Sequence, residues 1–393
     1  MPAILIDNAH LITPTQVIEN GWLAIQDGKI SAFGSGHAPS FPDLVQIIDA
    51  TGQYLAPGFI DLHAHGGAGY EAMDATPEAL EAMAKLYAQH GVTSFLATTW
   101  TAPQAQITAA LQAIRNSQGP IEGGATLLGA HLEGPYLNPD KCGAQDGRQI
   151  RRATHEEAQP WLDMGVIKLL ALAPEFPENA WLIQACRQRG IAVSAAHTSA
   201  DYRTMQRAVE IGLSQTTHTF NAMTGLHHRE PGTVGAALTM SELVCELIAD
   251  GIHVHPAAMQ VLWACKGAHG IILITDAVRG AGMPRDARYM QDGREVAIKD
   301  AAYLPDGTLA GSTLLFDEGV RRFVEATSTA LWQVWPITSR NAARAIGVGH
   351  RKGSLEVGKD ADLVLLSPEL EVEMTIVEGR TVYQHPHAQI NIR

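Results

Sequence analysis

The chain has 393 residues, a formal net charge of −13, and 46% hydrophobic against 18% charged residues. That balance excludes a disordered chain, which would be poorer in apolar and richer in charged residues. The excess of 41 acidic over 28 basic side chains speaks against a nucleic-acid binder, whose affinity rests on neutralising phosphates. The length passes the roughly 250–300 residues at which single cores stop growing, so a large domain with a smaller companion is expected.

The first 55 residues read as short strands. Ala3–Asp7, Gly21–Gln26 and Lys29–Phe33 are apolar runs broken by Asp-Gly and Gly-Ser-Gly turn signals. Residues 353–385 have the same texture, which predicts one small β domain assembled from residues 1–55 and 353–393. Between them, over 56–352, eight strand candidates alternate with helical stretches: Phe59–His65, Thr93–Trp100, Ala125–Gly134, Val166–Pro174, Ile191–Thr198, Gln215–Asn221, Val244–His253 and Ile271–Ala277. Residues 76–90 have helical spacing, with Thr76 as cap and Pro77 in the first turn. Residues 178–190 form a helical pattern stopped by Gly190. Eight β–α units over about 220 residues fit a (β/α)8 barrel better than an open sheet. A Gly-x-Gly-x-x-Gly after the first strand is missing, which weakens a dinucleotide-binding reading. Cys142, Cys186, Cys245 and Cys265 form no Cys-x-x-Cys pair and read as small apolar residues. No basic, apolar, small-residue leader opens the chain, and no run of about 18 apolar residues occurs, so a cytoplasmic protein without a membrane span is expected.

In such a barrel, side chains at the C-terminal strand ends converge on the active site. Here those ends carry His63 and His65, His131 and Glu133, His197, His218, His253 and Asp276. Residues i and i+2 of a strand share a face, so His63 and His65 can address one ion, and imidazole suits Zn, Fe, Ni or Co. A lone His-x-His is often only a satisfied polar pair, and a lone Asp after a strand is often a helix cap. Six ligand-type residues at the ends of five strands of one sheet are harder to explain that way, because buried rings without partners are costly. Glu133 could bridge two ions. Asp276 follows the apolar Ile-Ile-Leu-Ile-Thr run and could take a proton from a metal-activated water and return it to a leaving group. His253 is favoured over His255 for the mouth, since it sits nearer the strand end, while His255 precedes Pro256 and starts the loop. Asn221 and nearby backbone could hold a polar substrate. His227-His228-Arg229 is a local cationic cluster in an acidic chain, suited to phosphate or carboxylate if it is more than a solvated loop.

These residues resemble the amidohydrolase superfamily and, within it, the N-acetylglucosamine-6-phosphate deacetylases. The stretches that carry the likeness are Pro-Gly-Phe-Ile-Asp-Leu-His-Ala-His-Gly (57–66), His-Leu-Glu-Gly-Pro (131–135), Ala-His-Thr (196–198), Thr-His-Thr-Phe-Asn-Ala-Met (217–223), Arg-Glu-Pro-Gly (229–232), Asp-Gly-Ile-His (250–253), Thr-Asp-Ala (275–277) and Leu-Ala-Gly-Ser (309–312). They span nearly the whole chain. The resemblance implies a divalent metal held by Glu133, His197 and His218, with Asp276 as general base and then general acid. It implies that His253 polarises the acetyl carbonyl, and that Asn221, Ala222, Ala144, Leu309, Ala310 and Gly311 contact substrate. Arg229 would bind the sugar phosphate in the neighbouring subunit's site of a homodimer. Some members replace the His-x-His pair by amides and keep one metal; here His63 and His65 are both present, so the resemblance implies one or two ions per subunit. Zn is the foremost expectation, with Fe, Co, Mn and Ni open. The substrate implied is a phosphorylated N-acetyl amino sugar, glucosamine- or galactosamine-based. Amidohydrolases with a carboxylated-lysine bridge are a more distant alternative; Lys168 in the fourth strand lies off the Ala171/Ala173 face, and Glu133 already fills that role.

Overall fold

The computed structural model describes residues 3–41, 44–291 and 293–393. Eight parallel strands follow one another in spatial order: Phe59–Ala64, Val92–Thr99, Thr126–Glu133, Ile167–Leu172, Ala192–Ala195, Gln215–Thr216, Val244–Ile248 and Ile271–Ile274. Each is followed by a helix: Pro77–Gln89, Gln104–Ser117, His155–Asp163, Ala180–Gln188, Tyr202–Ile211, Gly232–Thr239, Pro256–Lys266 and Phe316–Thr327. The last strand returns to the first through the Asp276 N–H on the His63 carbonyl and the His65 N–H on the Ala277 carbonyl, both 2.8 Å. The predicted (β/α)8 barrel is therefore the observed fold, and all eight predicted strands fall on barrel strands. The predicted ends overshoot most at the fifth to eighth strands, where ordered loop follows a short ladder.

Local rules explain the helices. The Thr76 hydroxyl accepts from the Ala79 N–H and Pro77 occupies the first turn, as read from the sequence. His255, expected to start a loop, instead caps the helix Pro256–Lys266 with its ring accepting from the Ala257 N–H. Inside the barrel, Ile60, Leu62, Leu96, Leu169, Ile248, Ile272 and Ile274 pack together with Ala342, Ala343 and Ile346. Residues from strands all around the sheet can meet only in its interior, so this apolar layer and the helix Arg340–Ala345 fill it.

The second sheet has nine strands and draws on both ends of the chain. Its path runs Arg380–Gln384, Val372–Val377, Leu363–Leu366, Tyr54–Pro57, Ala3–Ile12, Val17–Gln26, Lys29–Ser35, with Leu44–Asp49 and Asn391–Ile392 beside it. Its core of Ile6, Leu11, Leu23, Ile25, Leu55, Leu363, Leu365 and Met374 is separate from the barrel's. Lys352, whose side chain is fully buried, joins the segment after the barrel to this sheet through Asp362 at 2.5 Å and Asp360 at 3.1 Å. A buried lysine is tolerated only with such partners. A three-stranded sheet, Arg288–Gln291, Arg294–Ile298 and Ala302–Tyr303, was not anticipated from the sequence. It sits over the barrel mouth, where the Arg294 guanidinium donates to the Ala144 carbonyl. Cys186 and Cys245 are buried as expected, while Cys142 is half-buried and Cys265 exposed. Among the described residues no helix is long and apolar enough to cross a membrane.

Candidate active site

The C-terminal strand ends bring five donor side chains to one point. His63 Nε2 lies 3.1 Å from His65 Nε2, and His197 Nε2 lies 3.2 Å from His218 Nε2. Glu133 stands between the two pairs. Its Oε1 is 3.1 Å from His218 Nε2 and 3.3 Å from His197 Nε2, while its Oε2 is 3.3 Å from His65 Nε2. Asp276 Oδ1 approaches His65 and His63 at 3.3 and 3.4 Å. All six are buried. The ladder between the first and second strands shifts register between Asp61 and Ala64, next to His63. His197, His218 and Asp276 adopt φ of +43°, +31° and +50°, as do few residues other than glycine. The backbone carries that cost where it turns these side chains into the mouth.

The donor set fits a divalent metal. Nitrogen and oxygen ligands held about 2.0–2.1 Å from one tetrahedral ion lie about 3.3 Å apart, close to the 3.1–3.3 Å found within the groups, with His63 to Glu133 wider at 3.7 Å. His63, His65 and Glu133 form one group, and Glu133, His197 and His218 another. Electrostatics agree. Burial alone would lower the His63 ring, yet Asp276, Glu133 and Glu246 overcome it and lift its pKa to about 10. Burial likewise opposes ionisation of Glu133, but His63, His197, His218 and His65 hold it well below the usual carboxylate range. The cluster is thus built to hold positive charge at its centre. The remote ring nitrogens are oriented in part: His63 Nδ1 faces Glu246 at 3.1 Å, and His197 Nδ1 donates to the Lys141 carbonyl at 2.7 Å. The His65 ring stacks on Trp100 with centroids 3.7 Å apart.

A cavity of about 520 Å³ opens above the cluster, within the usual range for small-molecule sites. Of the sequence-predicted residues, His65, Glu133, His197, His218, Asn221, Ala222, His253, Asp276, Ala144, Leu309 and Gly311 line it. His63 lies beneath, fully buried. Two of the expected contact residues do not line this chain's cavity. Ala310 faces away, into an apolar cluster with Val278, Val296 and Leu304, because its N–H pairs with Ala302 and turns it toward the three-stranded sheet. Arg229 is exposed and outside this chain's cavity, its guanidinium 2.8 Å from the His228 ring. His131 is buried under His63, ring to ring at 4.5 Å, and burial with the neighbouring cations keeps it neutral. Sequence reasoning missed Lys141, Gln145 and Trp100. Gln145 bridges the loop to the centre, donating to Glu133 Oε2 at 2.6 Å and accepting from the Thr101 N–H at 2.7 Å. The signal for Gln145 and Lys141 was their place in the loop directly after the Glu133 strand.

His253 comes five residues after its strand. Asp250 brings it back: Oδ1 accepts the N–H groups of Ile252 and His253 at 2.8 and 2.7 Å, and Oδ2 sits 2.6 Å from His253 Nδ1. Burial would lower the His253 pKa, but the bond to Asp250 raises it.

A barrel whose strand ends carry paired histidines around a shared glutamate, with an aspartate after the eighth strand, defines a metal-dependent hydrolase. The amidohydrolase family model matches residues 54–382, and the chain belongs to that family. Among its relatives, N-acetylglucosamine-6-phosphate deacetylase of Bacillus subtilis (strain 168) is 42% identical over 387 residues, 97% of each chain. N-acetylgalactosamine-6-phosphate deacetylase of Escherichia coli O157:H7 is 39% identical, covering 94% of this chain and 98% of its own. The crystal structure of N-acetylglucosamine-6-phosphate deacetylase from Pasteurella multocida superposes with a TM-score of 0.91 at 31% identity, over 98% of this chain and all of that one. Within the family the chain falls among the amino-sugar-6-phosphate deacetylases.

Proposed function

We propose that this chain removes the acetyl group from N-acetylglucosamine-6-phosphate, giving glucosamine-6-phosphate and acetate. The observation that carries this reading is the Glu133-centred histidine cluster with Asp276 and His253 facing the same cavity, in a chain 42% identical to a deacetylase of that name. Glu133, His197 and His218 would hold a divalent ion, and His63, His65 and Asp276 border the same centre. Such an ion, when bound, supplies Lewis acidity and lowers the pKa of water from 15.7 to about 7.

The chain's own groups do the rest. Asp276, held ionised by His63 and His65 against the penalty of burial, takes the proton from the attacking water as its oxygen bonds to the acetyl carbon. The C–N bond then breaks, and Asp276 hands that proton to the departing sugar nitrogen. His253 faces the carbonyl oxygen. Because its Nδ1–H is committed to Asp250, Nε2 carries a proton to donate only in the imidazolium form. The raised pKa is therefore part of the function. Asn221 is anchored to the His218 carbonyl and, with Ala222, Ala144, Leu309 and Gly311, would contact the sugar.

Asp250→Asn tests the His253 assignment. Without the carboxylate the ring's pKa falls, so the proton-donating form is lost at lower pH. The alkaline limb of kcat/KM is expected to move to lower pH, while the acidic limb stays. An unmoved alkaline limb removes His253 from the role.

Among the described lining residues Lys141 is the sole lysine or arginine, too little for a phosphate dianion at an acidic site. Arg229 from a second copy of the chain would supply the remainder, which makes the active unit a homodimer. Arg229→Ala is expected to raise KM for the phosphorylated sugar about 10–100-fold, the loss of roughly 1.5–3 kcal/mol for a charged hydrogen bond. The unphosphorylated sugar should be nearly unaffected, and equal effects on both would remove Arg229.

Acetate release from N-acetylglucosamine-6-phosphate, its galactosamine epimer and the unphosphorylated sugar tests the whole reading. Release confined to phosphorylated sugars supports it. A faster galactosamine epimer would favour the second specificity, in line with the Escherichia coli relative. No release from any of them would move the assignment to a different amide.

A further inference from the structure

Glu246 sits in the seventh barrel strand, Val244–Ile248, with no exposed surface. Its Oε2 is 3.1 Å from His63 Nδ1 and accepts the His218 N–H at 3.3 Å, so one oxygen touches both halves of the histidine cluster. Its Oε1 is buried without a hydrogen-bond partner. Such a carboxylate is costly in a barrel interior unless positive charge lies close by. The four ring ligands are not alike. His197 leans on a neutral carbonyl, and the remote nitrogens of His65 and His218 have no partner. Among the described residues, His63 alone is backed by a carboxylate. With Nδ1–H donated to Glu246, its Nε2 lone pair points to His65 and Glu133. A carboxylate behind a ligand imidazole fixes its tautomer and makes it a stronger donor.

We propose that Glu246 is a positioning residue behind His63: it fixes the ring's tautomer and strengthens it as a ligand in the His63, His65 and Glu133 group, where the family resemblance implies a further ion beside the one at Glu133, His197 and His218. The inference rests on the metal reading of the cluster and not on the identity of the sugar. The test is zinc content by elemental analysis, with affinities from chelator competition, on the full chain. Wild-type protein is expected to hold two Zn2+ per chain. Glu246→Gln keeps the shape and a hydrogen-bond acceptor but loses the charge; it is expected to bind one ion normally and the other about 10–100-fold more weakly. In a His63→Asn background the same change should cost nothing further, because there is no longer a ring to position. Circular dichroism of the metal-free proteins checks that both variants fold. One ion in the wild type, two ions at unchanged affinity in Glu246→Gln, equal weakening of both ions, or a loss that persists without His63 would each overturn the proposal. Failure of acetate release, by contrast, overturns the sugar assignment and leaves the zinc counts as they are.

Discussion

Replacing Asp276 by asparagine is expected to lower kcat by roughly 10⁴-fold while divalent-metal content stays near wild type. That factor is the upper end of what one positioned proton-transfer group contributes, and it corresponds to about 5.5 kcal/mol of barrier. The upper end applies because one carboxylate serves two transfers, from water in the attack and to nitrogen in the departure. An amide has the same shape and cannot accept that proton. Binding of the ion should survive, because Glu133 and the four histidines form both metal-ligand groups without Asp276. The substitution is also gentle on the fold: the Asp276 backbone is fixed independently of its side chain, N–H to the His63 carbonyl and carbonyl to the Ser312 N–H, and an asparagine keeps an oxygen that can face His63 and His65. KM should change little, since sugar contacts lie elsewhere in the cavity. Metal analysis beside single-turnover acetate release checks the prediction. Turnover within tenfold of wild type would take the proton-transfer role from Asp276.

What the sequence disclosed follows from what a sequence encodes locally. The eight strands were legible because each is a buried apolar run, and their order required no long-range knowledge in a barrel whose neighbours in sequence are neighbours in space. His63, His65, Glu133, His197, His218 and Asp276 were legible because a strand end in a barrel is a position in space. Glu246 escaped because it lies mid-strand, where a single acidic residue in Val-Cys-Glu-Leu-Ile reads as a surface position; only the closed barrel turns it toward His63. The three-stranded sheet escaped because Arg288–Gln291 and Arg294–Ile298 are short and lack a regular apolar/polar alternation. The Ala310 side chain packs away from the cavity that Leu309 and Gly311 line, because an extended segment sends adjacent side chains to opposite sides. Arg229 shows a different limit. Its sequence neighbourhood marks it as cationic, but a role in another subunit's cavity depends on a contact outside the chain.

Glu133→Gln should have the other large effect, with loss of both metals and of turnover together. Both histidine pairs address the one carboxylate: Oε1 faces His197 and His218, with His63 at 3.7 Å, and Oε2 faces His65. An amide offers one oxygen and one NH2, and the NH2 has no lone pair for a metal. Whichever way it turns, one group loses a ligand atom and both lose the shared negative charge. Gln145 sets the orientation: its Nε2 donates to Oε2 of Glu133 while its Oε1 is occupied by the Thr101 N–H. The new amide must therefore keep its oxygen toward Gln145 and turn its NH2 toward His197 and His218, which strikes the principal site. The expected result is zinc below one ion per chain and turnover reduced by at least about 10⁴-fold, since unassisted water near pH 7 lacks the roughly nine-unit pKa drop a bound ion provides. Wild-type protein stripped by a chelator should reach the same floor and recover when Zn2+ is returned; Glu133→Gln should not recover. The observation that decides is the recovery. Restored turnover in the variant at moderate Zn2+ would mean that the histidines alone hold the catalytic ion and that Glu133 does not bridge.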